Sequence, residues 1–221
     1  MAQYDLLVIG TGPAGQKAAV QAAKLGKKVG IIERKEVVGG VCTNTGTIPS
    51  KSLREAVLYL SGFRQRTLYG AEYRLKETIT IEDLAFRANH IIKNEIEIVQ
   101  NQMARNRIDL IFGEARFVDP HRLLVHHAGA STEHRAHVIV IAVGTEPARP
   151  AEIPFDDDTI IDTDGFLTLK HLPTSMVIVG GGVIGTEYAS ILATMGVPVI
   201  LVDKRPRLLE FVDAQIIGAL Q

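Results

Sequence analysis

Two glycine-rich turns, each with an acid set behind it, are the residues of this chain whose types and spacing could do chemistry. The first is Gly10-Thr11-Gly12-Pro13-Ala14-Gly15, after the apolar run Leu6–Ile9, and the second is Gly180-Gly181-Gly182-Val183-Ile184-Gly185, after Met176–Val179. Glu33 and Asp203 each stand eighteen residues beyond the third glycine of their copy. In a pattern of this kind the first glycine permits a tight turn and the second lets backbone approach a pyrophosphate. The third allows a helix to pack closely on the strand. The helix that follows aims free N–H groups and a partial positive charge at the phosphates. An acid at the end of the next strand accepts hydrogen bonds from an adenosine ribose, and Glu33 closes Val29–Ile32 as Asp203 closes Val199–Val202. One copy is compatible with glycines that serve packing alone. Two complete copies point to two dinucleotides and to electron traffic between them.

The elements that must position these residues follow from periodicity. Residues 4–33 read as strand, helix, strand, with Gly26 stopping the helix. Residues 34–41 read as a loop, and a helix over about 42–61 is interrupted by Pro49, which is tolerated near a helix start or else produces a bend. Leu84, Ile91, Ile92, Ile96, Val99 and Met103 recur at helical spacing and predict a long helix over 82–106. Strands are expected over 108–112, 115–118, 123–127 and 138–142. Three prolines between Pro147 and Pro154 mark a crossing segment, and a second strand–helix–strand module starts near Ser175. A helix over about 213–220 ends the pattern. The expected class is therefore α/β and Rossmann-like, with one dinucleotide domain over 1–150, carrying a β insertion near 108–137, and the start of a second over 151–221. A doubly wound sheet needs more strands than follow Asp203, so the second domain is expected to be truncated.

Composition excludes several classes. A net charge of −1 leaves no footprint for nucleic acid or an anionic membrane. No apolar run reaches the roughly eighteen residues of a membrane span. The start, Met1-Ala2-Gln3-Tyr4-Asp5, lacks the basic flank of a secretory signal, and a single cysteine forms no disulfide framework. A cytoplasmic location is the expectation.

The stretch Gly39-Gly40-Val41-Cys42-Thr43-Asn44-Thr45-Gly46-Thr47-Ile48-Pro49-Ser50-Lys51 resembles the flavin-side helix of the two-dinucleotide-binding flavoproteins, the class-I pyridine nucleotide-disulfide oxidoreductases that include glutathione reductase and dihydrolipoyl dehydrogenase. Ile141–Pro147 is similar to that family's return strand to the FAD domain, with Val143 where threonine is usual. Disulfide reductases of this kind carry two cysteines with four residues between them. Here the first is Cys42 and the second position holds Thr47, so no redox disulfide can form over a flavin. The Cys-then-Thr pattern and residues 46–57 are similar to the soluble, si-specific NAD(P) transhydrogenase group of the family.

That resemblance implies FAD as cofactor, and NAD(H) and NADP(H) as substrates in a hydride transfer from NADPH to NAD+ through the flavin. It implies that Gly10, Gly12, Gly15, Glu33, Arg34, Lys35, Glu36, Val37, Val38, Gly39, Gly40, Val41 and Cys42 line the FAD, with Lys51, Ala115 and Gly144. It places Lys51 near flavin N5, where its charge favours the reduced flavin, and Glu187 as the carboxylate that orients Lys51. Gly180, Gly182, Gly185, Asp203 and Lys204 would hold the nicotinamide nucleotide. Asp203 favours a free ribose 2′-hydroxyl, whereas Lys204, Arg205 and Arg207 could pair with a 2′-phosphate. Solvated loop charges are an equally good reading of those three cations. The family further implies a homo-oligomer for the full-length protein.

Other residues carry less. Cys42 could be a flavin neighbour, a reactive thiol or a small buried residue. Five of the seven histidines lie between His121 and His137, but neighbours on a strand alternate in direction, so a histidine-rich edge hairpin is expected and no metal. The competing activities are an NAD(P)H oxidase, a quinone or disulfide reductase related to dihydrolipoyl dehydrogenase, or a non-catalytic nucleotide-binding remnant.

Overall fold

The computed structural model describes residues 2–76 and 78–220. In chain order, the first half holds β1 Ala2–Ile9, α1 Pro13–Lys24, β2 Val29–Glu33, α2 Gly40–Asn44, α3 Thr47–Leu60, α4 Arg66–Tyr69 and α5 Ile81–Arg105. Then come β3 Asp109–Phe112, β4 Glu114–Asp119, β5 Arg122–His127, β6 Ala130–Ile141, β7 Met176–Val179, α6 Val183–Thr194, β8 Val199–Val202 and α7 Ala214–Leu220. These elements form two compact units, Met1–Pro49 with His90–Ala148, and Ser50–Asn89 with Arg149–Gln221. Neither unit is contiguous in sequence.

The first unit is built on a six-stranded sheet of order β3-β2-β1-β6-β5-β4. Strands β3, β2, β1 and β6 are parallel, and β6, β5 and β4 form an antiparallel meander. A parallel sheet must be covered on both faces, which is why β1 and β2 are near-continuous apolar runs. One face packs Val8 and Ile31 against Ala19 and Val20 of α1 and against Val99 and Met103 of α5. On the other, Leu7 and Ile32 meet Leu123 and Val125 of β5 and Ala136 of β6. The meander thus serves as cover where a doubly wound sheet would use helices. The histidine-rich strand β5 pairs antiparallel with β4, which forms one edge of the sheet, with Leu123 and Val125 of β5 facing the core while His126 and His127 end the strand.

In the second unit β7 and β8 form a two-stranded parallel sheet against α6. Its core joins Leu53, Ala56 and Val57 of α3 and Leu84 and Ala88 of α5 to Phe166, Tyr188, Ile191, Leu192 and Val197. That shared core explains why residues 50–89 group with the later chain. The α5 start carries a reciprocal cap, with Asp83 N–H donating to Thr80 Oγ1 at 3.3 Å and Thr80 N–H to Asp83 Oδ2 at 2.9 Å. Met176 and Ile178 pack inward, whereas Val177, Val179, Ile200 and Val202 are exposed.

Of the two expectations for Pro49, tolerance near a helix start holds. Pro49 falls in the first turn of α3, where its missing N–H would lack a partner in any case. The break comes earlier, where the N–H groups of Thr45 and Gly46 both return to Val41 O at 3.0 and 2.7 Å.

Candidate functional site

The two glycine-rich turns fold almost identically. Gly10 N–H donates to Ile32 O at 2.8 Å and Gly180 N–H to Val202 O at 2.7 Å, so each turn leaves its strand tied to the neighbouring strand. A Cβ on Gly15 would stand 1.9 Å from Gly10 O, and one on Gly185 would stand 1.9 Å from Gly180 O. Only glycine lets the helix come this close. Gly10 also has φ +105°, and a side chain there would meet Ala142 O at 2.2 Å. Positions 142–144 therefore run beside the first turn, with Gly144 two residues on from the close approach.

Gly12 and Gly182 behave differently. A Cβ at either would have nothing within 4 Å. Both are extended N-cap residues of twelve-residue helices and neither supplies a side-chain cap, so the first-turn N–H groups of α1 and α6 point toward open space. Space, uncapped donors and a helix dipole make a phosphate cradle.

Behind the first cradle stands Glu33, 8% exposed. Its Oε2 accepts from Thr11 N–H at 3.1 Å and from the Thr11 hydroxyl, and its Oε1 accepts from Lys35 N–H at 3.0 Å. The Thr11 hydroxyl oxygen also accepts from Gly39 N–H at 3.1 Å. A Cβ on Gly40 would lie 2.9 Å from Gly12 Cα, so the 34–40 loop is drawn against the fingerprint. Asn44 closes that loop by donating from Nδ2 to Val38 O and Gly40 O at 3.0 and 2.9 Å. Val38 is fully buried, whereas Lys35, Glu36, Val37 and Val41 are exposed and Cys42 is partly so. Arg34 pairs with Glu146 at 2.7 Å, both largely in solvent. Ala115 lies opposite Val125 on β4, and the turn before it is fixed by Gly113 N–H donating to Glu33 O at 2.8 Å.

Behind the second cradle, Asp203 accepts from Gly181 N–H and from the backbone and guanidinium of Arg205. These bonds, the Arg205 side chain foremost, hold its carboxyl well below the usual carboxylate range. Lys204 is exposed. In the same unit, Lys51 Nζ donates to both oxygens of Glu187 at 2.6 and 2.8 Å, and Ser50 Oγ donates to Glu187 Oε2 at 3.3 Å. The Glu187 side chain is 16% exposed and that of Lys51 57%. Glu187 is thus a fixed anchor, and Lys51 a positive charge held at the surface of the unit.

Sequence reasoning missed Thr11, Asn44, Ser50 and Glu146. Only Thr11 left a signal, a hydroxyl at the unconstrained second position of the fingerprint. Among the described residues no group of histidine, cysteine and acidic side chains has the arrangement to hold a metal, and no helix is long and apolar enough to cross a membrane.

The residues fit dinucleotides: each cradle is open, and each has a carboxylate bonded to the turn. Over the whole chain, 54% of 223 aligned positions are identical to the soluble pyridine nucleotide transhydrogenase of Mycobacterium tuberculosis, covering 48% of that protein. The transhydrogenase of Colwellia psychrerythraea is 42% identical over 98% of the chain and 47% of its own length. The chain therefore spans about half the length of the curated relatives it matches. Among solved structures, the Cu(II) complex of the HOCl-induced flavoprotein disulfide reductase RclA from Escherichia coli superposes with a TM-score of 0.83 at 30% identity, covering all of this chain and 46% of that one. The pyridine nucleotide-disulphide oxidoreductase family model matches residues 4–221. The chain belongs to the pyridine nucleotide-disulphide oxidoreductase family.

Proposed function

We propose that this chain forms the FAD-binding part and the start of the NAD(P)-binding part of a soluble pyridine nucleotide transhydrogenase, which moves a hydride from NADPH to NAD+. The observation that carries this reading is the pair of matching cradles, together with a Cys42 that has no partner thiol, since Thr47 fills the second position. Without a dithiol at this position the route to a disulfide substrate is closed, and a second nucleotide berth supplies a donor and an acceptor of the same kind.

Residues 1–150 hold FAD in this reading, and residues 151–221 begin the nicotinamide-nucleotide domain. Bound FAD supplies the hydride relay. Gly10, Gly12 and Gly15 admit its pyrophosphate and Glu33 takes the adenosine ribose. Arg34, Lys35, Glu36, Val37, Val38, Gly39, Gly40, Val41, Cys42, Ala115 and Gly144 complete its surroundings. Lys51 supplies a fixed positive charge near the reacting ring, and Glu187 orients it. Gly180, Gly182, Gly185, Asp203 and Lys204 take the nicotinamide nucleotides. The partners are those small molecules, with neither nucleic acid nor membrane, in the cytoplasm, and the full-length protein is a homo-oligomer. The charge of −1 supports the first two points and the single cysteine the third, while the oligomer rests on the family resemblance.

Stopped-flow reduction of the flavoprotein by NADPH, followed by mixing with an NAD+ analogue, oxygen or a quinone, tests the reading. Reoxidation is expected to be fastest with the NAD+ analogue. Faster reoxidation by oxygen or quinone would replace the transhydrogenase by an oxidase or a quinone reductase.

A further inference from the structure

The two berths share a backbone but differ in what satisfies their acid. An ionised carboxylate accepts about four hydrogen bonds. Glu33 uses three, from Thr11 N–H, the Thr11 hydroxyl and Lys35 N–H, which leaves one acceptor site for a ribose hydroxyl. Asp203 uses all four. Its Oδ2 takes Gly181 N–H and Arg205 Nη2 at 2.7 Å, and its Oδ1 takes Arg205 N–H at 2.7 Å and Arg205 Nε at 2.9 Å.

The difference traces to one position. Gly181 stands where the first berth has Thr11, so the slot filled there by a hydroxyl is filled here by a guanidinium. A larger residue there would have to displace its neighbours, because a Cβ on Gly181 would lie 2.4 Å from Leu208 Cδ2 and 3.0 Å from Asp203 Oδ2. The loop that carries Arg205 is also strapped to the fingerprint from its far side, with Leu209 N–H reaching Gly181 O at 3.4 Å. Arg205 is still 37% exposed, and of its five N–H groups Asp203 occupies two.

We infer that Arg205 selects the coenzyme at the second berth: closed on Asp203 it receives the 2′-phosphate of NADP(H), and moved off Asp203 it frees that carboxylate for the ribose hydroxyls of NAD(H). This rests on the reading of the second fingerprint as a nicotinamide-nucleotide site. A ribose 2′-hydroxyl needs an acceptor, and the closed pair has none left. A 2′-phosphate needs a guanidinium and would be repelled by a bare carboxylate, which the closed pair masks. Part-exposed ion pairs are weak enough to open, so one berth can serve both nucleotides in turn. Lys204 and Arg207 lie on the same loop but neither takes a place on the Asp203 carboxylate.

Isothermal titration of the full chain with adenosine 2′,5′-bisphosphate and with adenosine 5′-diphosphate, in wild type, Arg205→Met and Asp203→Asn, tests the inference. Arg205→Met keeps the aliphatic stem and is expected to weaken the 2′-phosphorylated probe about 10- to 100-fold. The diphosphate should bind equally well or more tightly. Asp203→Asn should weaken the diphosphate and spare the bisphosphate. Equal shifts of both probes in Arg205→Met, or no shift, would overturn the role of Arg205 while leaving the berth intact. A wild-type chain that binds neither probe would overturn the nucleotide-site reading and the inference with it.

Discussion

Replacing Thr11 by valine keeps the shape of the side chain and removes one hydroxyl that two partners use. Glu33 Oε2 loses the hydroxyl donor, and Gly39 N–H loses its acceptor. Both partners are buried. A hydrogen bond to a charged group contributes about 1.5–3 kcal/mol, and an orphaned buried donor costs about 1–3 kcal/mol. Because one oxygen serves both, the two losses overlap, and about 2–4 kcal/mol is the expected destabilisation of the first unit. Thr11→Ser keeps the hydroxyl and should recover most of it. Urea denaturation followed by circular dichroism measures the stability, and flavin absorbance relative to protein absorbance after gel filtration measures FAD retention. Both should fall in Thr11→Val and recover in Thr11→Ser. A valine variant within about 0.5 kcal/mol of wild type and with full flavin content would show that Glu33 is held by backbone donors alone.

Four further outcomes are expected. Gly15→Ala forces a Cβ to within 1.9 Å of Gly10 O and should cost about 1–3 kcal/mol of stability, read by the same denaturation. Gly12→Ala meets no protein atom, so its stability should stay within about 1 kcal/mol while FAD binding falls. Glu187→Gln frees Lys51 from its anchor and should slow flavin reduction in the stopped flow by about tenfold with unchanged flavin content; loss of flavin instead would make the pair structural. Tyr4 and Tyr188 are both pushed up to about 12, chiefly by burial, with Asp109 adding to the first and Glu187 to the second. A raised folded value means the native state holds its proton more tightly than the unfolded chain. The stability from each tyrosine is therefore complete below pH 10 and is lost as pH rises toward 12. Alkaline unfolding curves should steepen in that window, and Tyr4→Phe with Tyr188→Phe should flatten them.

Much of the site was legible before any coordinates, because a strand, a tight turn and a helix are specified by neighbouring residues. The turns at Gly10–Gly15 and Gly180–Gly185, the acids at Glu33 and Asp203, the long helix over 81–105 and the meander strands all follow from spacing and backbone preference. Local sequence also carried the absence of a second thiol at Thr47. It could not show what distant chain brings to those turns. That Ala142 lies against Gly10 and that Glu187, expected there only from the resemblance, anchors Lys51 depend on strand order and helix packing across more than a hundred residues, and that Thr11 joins Glu33 to the 34–40 loop depends on contacts 22 and 28 residues apart. The choice of Arg205 over Lys204 and Arg207 is of the same kind. Three cations stand close together in sequence, but the path of the loop back to Gly181 decides which of them meets the carboxylate. Turns are written in φ, ψ and missing side chains, whereas the partner of a charge is decided by where packing sends the backbone.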